Sequence, residues 1–254
     1  MNINSEKLYA GRADDLPQFE NEDWWHAGRR YWTMEFIKRA KQVVPDSKNI
    51  TYADLGCGTG VFAKAIRDAF EIKQTILVEN HPEVTEFLKP EEGVLNLNLD
   101  LEKPFSLPFA PSLVTCMDVI EHIRDDVQFL MRVRKVMAPA GVLMISVPAH
   151  PLLYSEWDRH VGHFRRYSKR ALSETLEESG FELAQATYMW SLLIPAALYR
   201  RMAGAHFKWK VGHHRPPPAL NALLAGYAKL ECNVSQWLPI PFGSSLIASA
   251  RRIS

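Results

Sequence analysis

The sequence predicts a doubly wound, mostly parallel α/β sheet of seven strands, and three observations carry that expectation. From residue 50 onward, short apolar runs alternate with segments of helical period, the pattern of parallel strands joined by crossover helices. A glycine-rich turn, Gly56-Cys57-Gly58-Thr59-Gly60, closes the first of those runs and opens the first of those helices. One run, GVLMISVP at 141–148, is apolar at nearly every position, as a parallel strand covered on both faces must be.

The elements follow in order. The first twenty residues show no period and are expected to form a loose arm. Residues 23–44 carry strong helix formers, with Trp25, Tyr31 or Trp32, Phe36 and Ala40 spaced to share one face, until Pro45, Asp46 and Ser47 stop the helix. Residues 50–55 form the first strand. The glycine turn follows, and residues 61–70 repeat apolar pairs every four positions, which is a helix. Residues 74–80 form a second strand, after which Pro82 opens a short helix. The alternating run 94–100 is a third strand and 112–118 a fourth, and an amphipathic helix over 124–137 has Asp125 or Asp126 near its N-terminus. Beyond the fifth strand lies a long irregular stretch. A helix over 168–180 comes next, with Ser168 as N-cap and Gly180 just past its end. Residues 181–190 form a sixth strand, helices at 191–204 and 218–234 flank the breaker HHRPPP, and 244–253 forms the seventh strand.

Composition bounds the function. At 254 residues, 47% hydrophobic and 23% charged, the chain can bury a full core, which excludes the disordered, collagen-like and disulfide-scaffold classes. A formal net charge of +1 argues against a dedicated nucleic-acid binder. Cys57, Cys116 and Cys232 are scattered, without CxxC spacing, and read as reduced thiols. The polar start MNINSEKLYAGRADD lacks a signal-peptide core, and the longest apolar stretch, Trp190–Tyr199, is far shorter than the ~20 residues a membrane span needs. A soluble, cytoplasmic protein is expected.

The clearest chemistry lies at Asp54-Leu55-Gly56-Cys57-Gly58-Thr59-Gly60. Three alternate glycines let a ligand approach backbone that any Cβ would block. Their N–H groups and the helix N-terminus behind them form a polar cradle at the sheet's C-terminal edge. A dinucleotide site of GxGxxG form wants a small residue at position 61, where Val61 stands, and this speaks against a nicotinamide oxidoreductase.

An acid followed by GxGxG resembles motif I of the class I S-adenosylmethionine-dependent methyltransferases, and the likeness extends over about residues 50–150. Glu79 ends the second strand 23 residues after Gly56, where that family holds the ribose hydroxyls, with Asn80 beside it. Asp100 and Leu101 end the third strand, where the family reads the adenine edge, and Met117 and Asp118 end the fourth, beside the methionine moiety. The Phe-Asp pair common before the fourth strand is absent from Phe109-Ala110-Pro111-Ser112. The resemblance implies a Rossmann-like sheet, an N-terminal arm and lid helix over 1–49, and a methyltransferase domain over 50–254 with a helical insert at about 190–237. It also implies S-adenosylmethionine as cofactor and S-adenosylhomocysteine as product, with Asp54, Gly56, Cys57, Gly58 and Gly60 in the cofactor loop. Asp54 is expected to hold that loop through its backbone N–H groups. Some metal-assisted relatives use an acid-x-x-Glu-His arrangement, and Asp118, Glu121 and His122 match it with a first acid one carbon shorter. The expectation is no metal, with a metal-assisted O-methyltransferase and a non-catalytic cofactor-binding module as alternatives.

Methyl transfer to a small-molecule acceptor is an in-line displacement, for which the protein mainly supplies proximity and orientation. Where an acceptor proton must leave, His163, Asp118 and His150 are the candidate bases. In the family's architecture the N-terminal helix and the loop after the fifth strand wall the acceptor side, which nominates Trp25, Arg29, Arg165, Arg166 and Tyr167. The alternative is that the last three tie their loop to the sheet. The apolar run from Trp190 is closed by Arg200 and Arg201, and Lys208, Trp209 and Lys210 follow. It suits weak lipid contact, or burial against the next helix or in a homodimer. A lipid role requires Leu192, Leu193, Ala197 and Leu198 to be exposed in the monomer.

Overall fold

The computed structural model describes residues 15–40, 49–203 and 216–253. In chain order its elements are α1 (Leu16–Glu22), α2 (Trp24–Ala40), β1 (Thr51–Leu55), α3 (Val61–Phe70), β2 (Gln74–Val78), α4 (Pro82–Thr85), β3 (Val94–Leu97), β4 (Leu113–Met117), α5 (Asp126–Val136), β5 (Val142–Pro148), α6 (Glu156–His160), α7 (Lys169–Glu178), β6 (Phe181–Met189), α8 (Ile194–Ala203), α9 (Pro218–Val234) and β7 (Ser245–Arg252).

Strand alternation builds three layers. Tyr52, Leu113, Val142 and Met144 join one core, while Ala53, Leu55, Val114, Cys116, Leu143 and Ile145 join the other. The first core is closed by α2 and α3, and the second by α5 and α7. The strands run in the order β3-β2-β1-β4-β5-β7-β6, parallel throughout except for β7, which is antiparallel to both neighbours. The order reverses between β1 and β4, and in such sheets the crevice at that reversal is where ligands bind.

Local chemistry explains the ends. The Asp125 side chain accepts from the Gln128 N–H at 3.0 Å to start α5, and Ser168 accepts from the Ala171 N–H at 3.0 Å to start α7. Gly180, with φ of +80°, releases the chain from α7 into β6, a conformation that costs a glycine little. Some boundaries differ from expectation. The arm is not loose throughout, because Leu16 and Phe19 bury one face of α1 behind Pro17 in its first turn. The third strand stops at Leu97, leaving Asp100 and Leu101 in the turn after it. The irregular stretch contains α6, opened by a capping box in which the Ser155 N–H donates to Asp158 at 2.8 Å. Five residues are too few to show a helical period. Positions 1–14, Pro45-Asp46-Ser47, Lys208-Trp209-Lys210 and the first half of HHRPPP lie outside the described residues.

The buried stripe of α2 runs through Gly28, Trp32, Phe36 and Ala40, with Thr33 and Ile37 beside it; Trp25 and Tyr31 stay half-buried. Gly28 decides this orientation, since a Cβ there would stand 2.3 Å from the Trp190 ring and 2.8 Å from Ala228. The helix can therefore press against α9. The Trp24 N–H donates to Asn221 at 2.9 Å and the Tyr31 hydroxyl to Asn233 at 3.0 Å. The N-terminal helix and the insert helix thus form one flank, sharing a core with the sheet. Among the described residues no helix is long and apolar enough to cross a membrane.

Candidate active site

The crevice at the strand reversal is lined first by the glycine turn. Gly56, Gly58 and Gly60 all adopt the left-handed backbone, with φ of +76°, +59° and +80°. A Cβ on Gly56 would meet Val119 at 2.7 Å, and one on Gly58 would lie 3.2 Å from the Glu20 carboxylate. The Gly56 and Cys57 N–H groups donate to the Val78 carbonyl, and the Gly58 N–H donates to Glu79 Oε2 at 3.1 Å. Glu79 Oε1 accepts from the Asn80 and His81 N–H groups at 2.8 and 3.0 Å. Three of the about four acceptor positions of this carboxylate are thus taken. It can meet vicinal hydroxyls bidentately only when the Gly58 N–H yields.

Asp54 does not hold the loop as expected. Fully enclosed beneath it, the carboxylate accepts a hydrogen bond from the Thr115 hydroxyl at 2.5 Å, and Thr115 pairs with the Tyr52 hydroxyl at 2.7 Å. Burial drives the Asp54 carboxyl up to about 7 despite that bond. The Gly56, Cys57 and Gly58 N–H groups go to Val78 and Glu79 instead, because β2 lies beside β1 and its end faces the turn.

Two charged groups from the N-terminal flank reach the crevice. Glu20 of α1 accepts from the Thr59 hydroxyl, and burial raises its carboxyl above the usual range. Nothing in the sequence pattern marked this residue; the Leu16, Pro17, Phe19 spacing was the one available sign of its helix. Arg29 of α2 pairs with Asp118 Oδ2, its guanidinium 4.7 Å from the Trp25 ring centre and 5.7 Å from that of Phe62. Asp118 also accepts from the Ser146 hydroxyl at 3.0 Å and has φ of +57°. A left-handed non-glycine residue stores strain of about 1–3 kcal/mol, and such residues gather at functional sites. His150 and Trp190, just past the ends of β5 and β6, are left-handed as well.

The loop after β5 places the remaining candidates. His163 Nδ1 lies 3.0 Å from buried Asp158, and His163 Nε2 lies 4.0 Å from Glu121 Oε1. Burial opposes the charge on Asp158, yet bonds from His163 and Arg166 pull its carboxyl down to about 2. The Arg166 Nε donates to Asp158 at 2.7 Å, Arg165 pairs with Asp126 at 2.8 Å, and the buried Tyr167 hydroxyl donates to the same Asp126. The polar ends of Arg165 and Tyr167 thus bond to α5 and that of Arg166 to α6. They are engaged by acids that no spacing announces. His150 stacks on Tyr188 at 4.9 Å between ring centres, and burial with nearby Arg166 holds it below the usual imidazole range. Met117 and Leu101 are buried, one in each of the two cores that flank the sheet, and Asp100 caps the turn by accepting from the Glu102 N–H at 3.0 Å.

Glu121, His122 and His163 come together with one ligand atom each, all within 4.8 Å of one another. Both Glu121 carboxylate oxygens are buried without a hydrogen bond, and burial with nearby Asp118 raises its carboxyl. Burial and the adjacent His163 push His122 down to about 4. Asp118 is not in this group. It faces Arg29 and Ser146, so the acid-x-x-Glu-His reading keeps its last two members and takes His163 as the third.

Residues 24–186 match the methyltransferase domain family. A probable S-adenosylmethionine-dependent methyltransferase of Mycolicibacterium smegmatis is 30% identical over 137 residues, covering 51% of each chain. A ubiquinone biosynthesis O-methyltransferase of Neisseria meningitidis is 22% identical over 56% of this chain and 65% of its own. The chain thus spans from about half to under two thirds of the length of these curated relatives. Among solved structures, a chain of the complex between the Haloferax volcanii Trm112 methyltransferase activator and a methyltransferase superposes with a TM-score of 0.62, at 19% identity over 98% of this chain and 97% of that one. The plantazolicin methyltransferase BpumL in complex with S-adenosylhomocysteine gives 0.61 at 10% identity, over 98% and 94%.

Proposed function

The chain belongs to the methyltransferase domain family of class I S-adenosylmethionine-dependent enzymes, and from that premise we propose that it transfers the cofactor's methyl group to a small-molecule acceptor. One observation carries this reading. At the strand reversal, three left-handed glycines make a turn packed so closely against Val119, Glu20 and Leu88 that a Cβ has no room, beside a strand-end carboxylate already oriented by backbone N–H groups. The residues fit the cofactor. Gly56, Gly58 and Gly60 would lie against its backbone-facing side, and Glu79 would accept from its ribose. When bound, S-adenosylmethionine supplies an electrophilic methyl on a positive sulfur. Asp118, held by Arg29 and Ser146, orients its carboxylate between the flank and β4. His163 is the acceptor-side base: its Nδ1–H donates a hydrogen bond to the Asp158 carboxylate, which leaves Nε2 free of hydrogen to accept a proton. His150, stacked and held below the usual imidazole range, stays neutral. Trp25 and Arg29 wall the acceptor side from α2.

The test is incubation with methyl-tritiated S-adenosylmethionine and a fractionated cell extract. Label in low-mass, non-polymeric products is the expected result. Label confined to nucleic acid or protein would overturn the small-molecule acceptor, and no label from a cofactor-binding protein would favour a non-catalytic module.

A second reading, metal-assisted O-methyl transfer, is favoured by the unbonded Glu121 carboxylate beside His122 and His163. A carboxylate and two imidazoles suit a divalent transition metal. Equilibrium dialysis should then find one ion per chain, lost in Glu121→Gln, and chelation should abolish transfer. Full transfer in excess chelator would remove the metal.

A further inference from the structure

We propose that the outer face of α9 pairs with the same face of a second copy of the chain, giving a twofold dimer with the two helices antiparallel. α9 is apolar on both sides. Its inner side, through Ala228 and Cys232, packs against α2 and the sheet. On the outer side Leu220, Leu223, Leu230 and Val234 are exposed, and Trp237 continues the line in the turn that follows. Leu223 is 69% exposed, Leu230 63% and Trp237 86%. With half-buried Tyr227 the spacing reads 3-4-3-4-3, the period of a seam that meets another helix. The run from Trp190 does not meet the condition for a lipid role, since Ala197 is buried and Leu193 half-buried.

The stripe is complementary to itself. Its spacing is the same read in either direction, so a twofold axis crossing between Tyr227 and Leu230 matches the two copies. It sets Leu220 against Trp237, Leu223 against Val234 and Tyr227 against Leu230, each pair occurring twice. The surface is also large enough. At roughly 100 Å² for an exposed leucine-sized side chain and about 200 Å² for tryptophan, the stripe with exposed Leu238 beside it offers on the order of 500 Å² of apolar area. A homodimer interface of about 800 Å² per copy, about 65% apolar, needs that much. Gly226 is a second sign. It is exposed between Leu223 and Leu230, and a Cβ there would meet nothing within 4 Å. A glycine inside a helix destabilises it relative to alanine, and the fold of one copy does not require this one, unlike Gly28. A facing helix does, because the missing side chain leaves a hole for a knob of the opposite seam. Charge does not oppose the pairing: Glu231 is buried, and Lys229 leans toward α2, 5.9 Å from the Tyr31 ring centre. The pairing does not depend on the methyl-transfer reading.

The test is sedimentation velocity of the full chain over a concentration series reaching the micromolar range, where a dimer is expected. Leu223→Glu combined with Leu230→Glu should weaken the dimer roughly tenfold or more, since two large apolar side chains per copy no longer leave water. Gly226→Leu, whose side chain enters open space in one copy, should keep the fold and weaken the dimer as well. Met131→Glu, an exposed site on α5, should leave it intact. Circular dichroism of every variant separates a folding defect from lost pairing. Cysteines read the register: under oxidation, Leu223→Cys combined with Val234→Cys should link two copies, and Leu223→Cys alone should not. A chain that stays monomeric throughout the series overturns the proposal, including a monomer that sediments with lipid vesicles through this stripe. So does a dimer indifferent to the two glutamates, or one linked through Leu223→Cys alone.

Discussion

Glu79 and Asp54 show how one residue type does different work a few ångströms from the same turn. Glu79 accepts three backbone N–H groups at the mouth of the crevice, so its removal costs loop order and, on the proposed reading, the bond to the ribose. Glu79→Ala should weaken S-adenosylhomocysteine binding by about 1.5–3 kcal/mol, the range for hydrogen bonds to a charged group. Calorimetry reading an unchanged dissociation constant would remove Glu79 from the site. Asp54 is buried, and its carboxyl sits at about 7 where an exposed one sits near 3.8. The native state therefore holds this proton more tightly than the unfolded chain does. Asp54 contributes stability that is complete below about pH 4 and lost as pH rises through 7. Asp54→Asn keeps an acceptor for Thr115 and has nothing to ionise, so urea midpoints compared at about pH 5 and 8 should fall less in the variant than in wild type. Equal falls in both proteins would refute the assignment.

At the scale of elements, the contact between α2 and α9 depends on one missing side chain. Alanine at position 28 would gain roughly 1 kcal/mol of helix propensity. Its Cβ would also stand 2.3 Å from a fully buried indole, and overpacking of that kind costs about 1–3 kcal/mol. The clash wins because Trp190 is also pinned: its backbone N–H and that of Ser191 donate to buried Glu231 of α9 at 2.7 and 2.8 Å. At so short a distance the cost lies at the top of that range, so Gly28→Ala should lose about 2 kcal/mol net, a fall in melting temperature of roughly 4–8 °C for a chain of this size. A thermal scan with no fall would mean that the helices separate freely. The helix pattern from 23 onward was readable because residues three and four apart share a face whatever surrounds them. Which stripe of that helix turns inward was not, because Trp25 and Trp32 are equally apolar and only the facing Trp190 and Ala228 distinguish them.

For the molecule as a whole, cofactor binding and folding are linked, since Glu20, Arg29 and Glu79 reach the crevice from three separate elements that come together only on folding. S-adenosylhomocysteine at about a hundred times its dissociation constant should stabilise the protein by about 2.7 kcal/mol. That corresponds to a rise of roughly 5–11 °C in melting temperature. NAD at the same concentration should leave the midpoint unchanged, because Val61 stands where a dinucleotide turn wants a small residue. A larger shift with NAD would overturn the cofactor assignment.

Strands, helices, caps and the glycine turn were legible in the sequence because each is set by residues within a few positions of one another. Ser168 caps its helix and Gly180 ends it through bonds that span three residues or fewer. The likeness of Asp54 through Gly60 and Glu79 to a family motif is of the same local kind. Side-chain partnership is not local. Arg29 and Asp118 are 89 residues apart, Glu20 and Thr59 are 39 apart, and Asp54 and Thr115 are 61 apart. In each case the polar group was visible in the sequence and its partner was not. A charge leaving water takes the nearest acceptor or donor that the packed sheet and helices bring within reach. That is why Arg165, Arg166 and Tyr167 are ties within the protein, and why Glu121 meets His163 across the loop after β5: only the folded positions of the strand ends decide which groups are near.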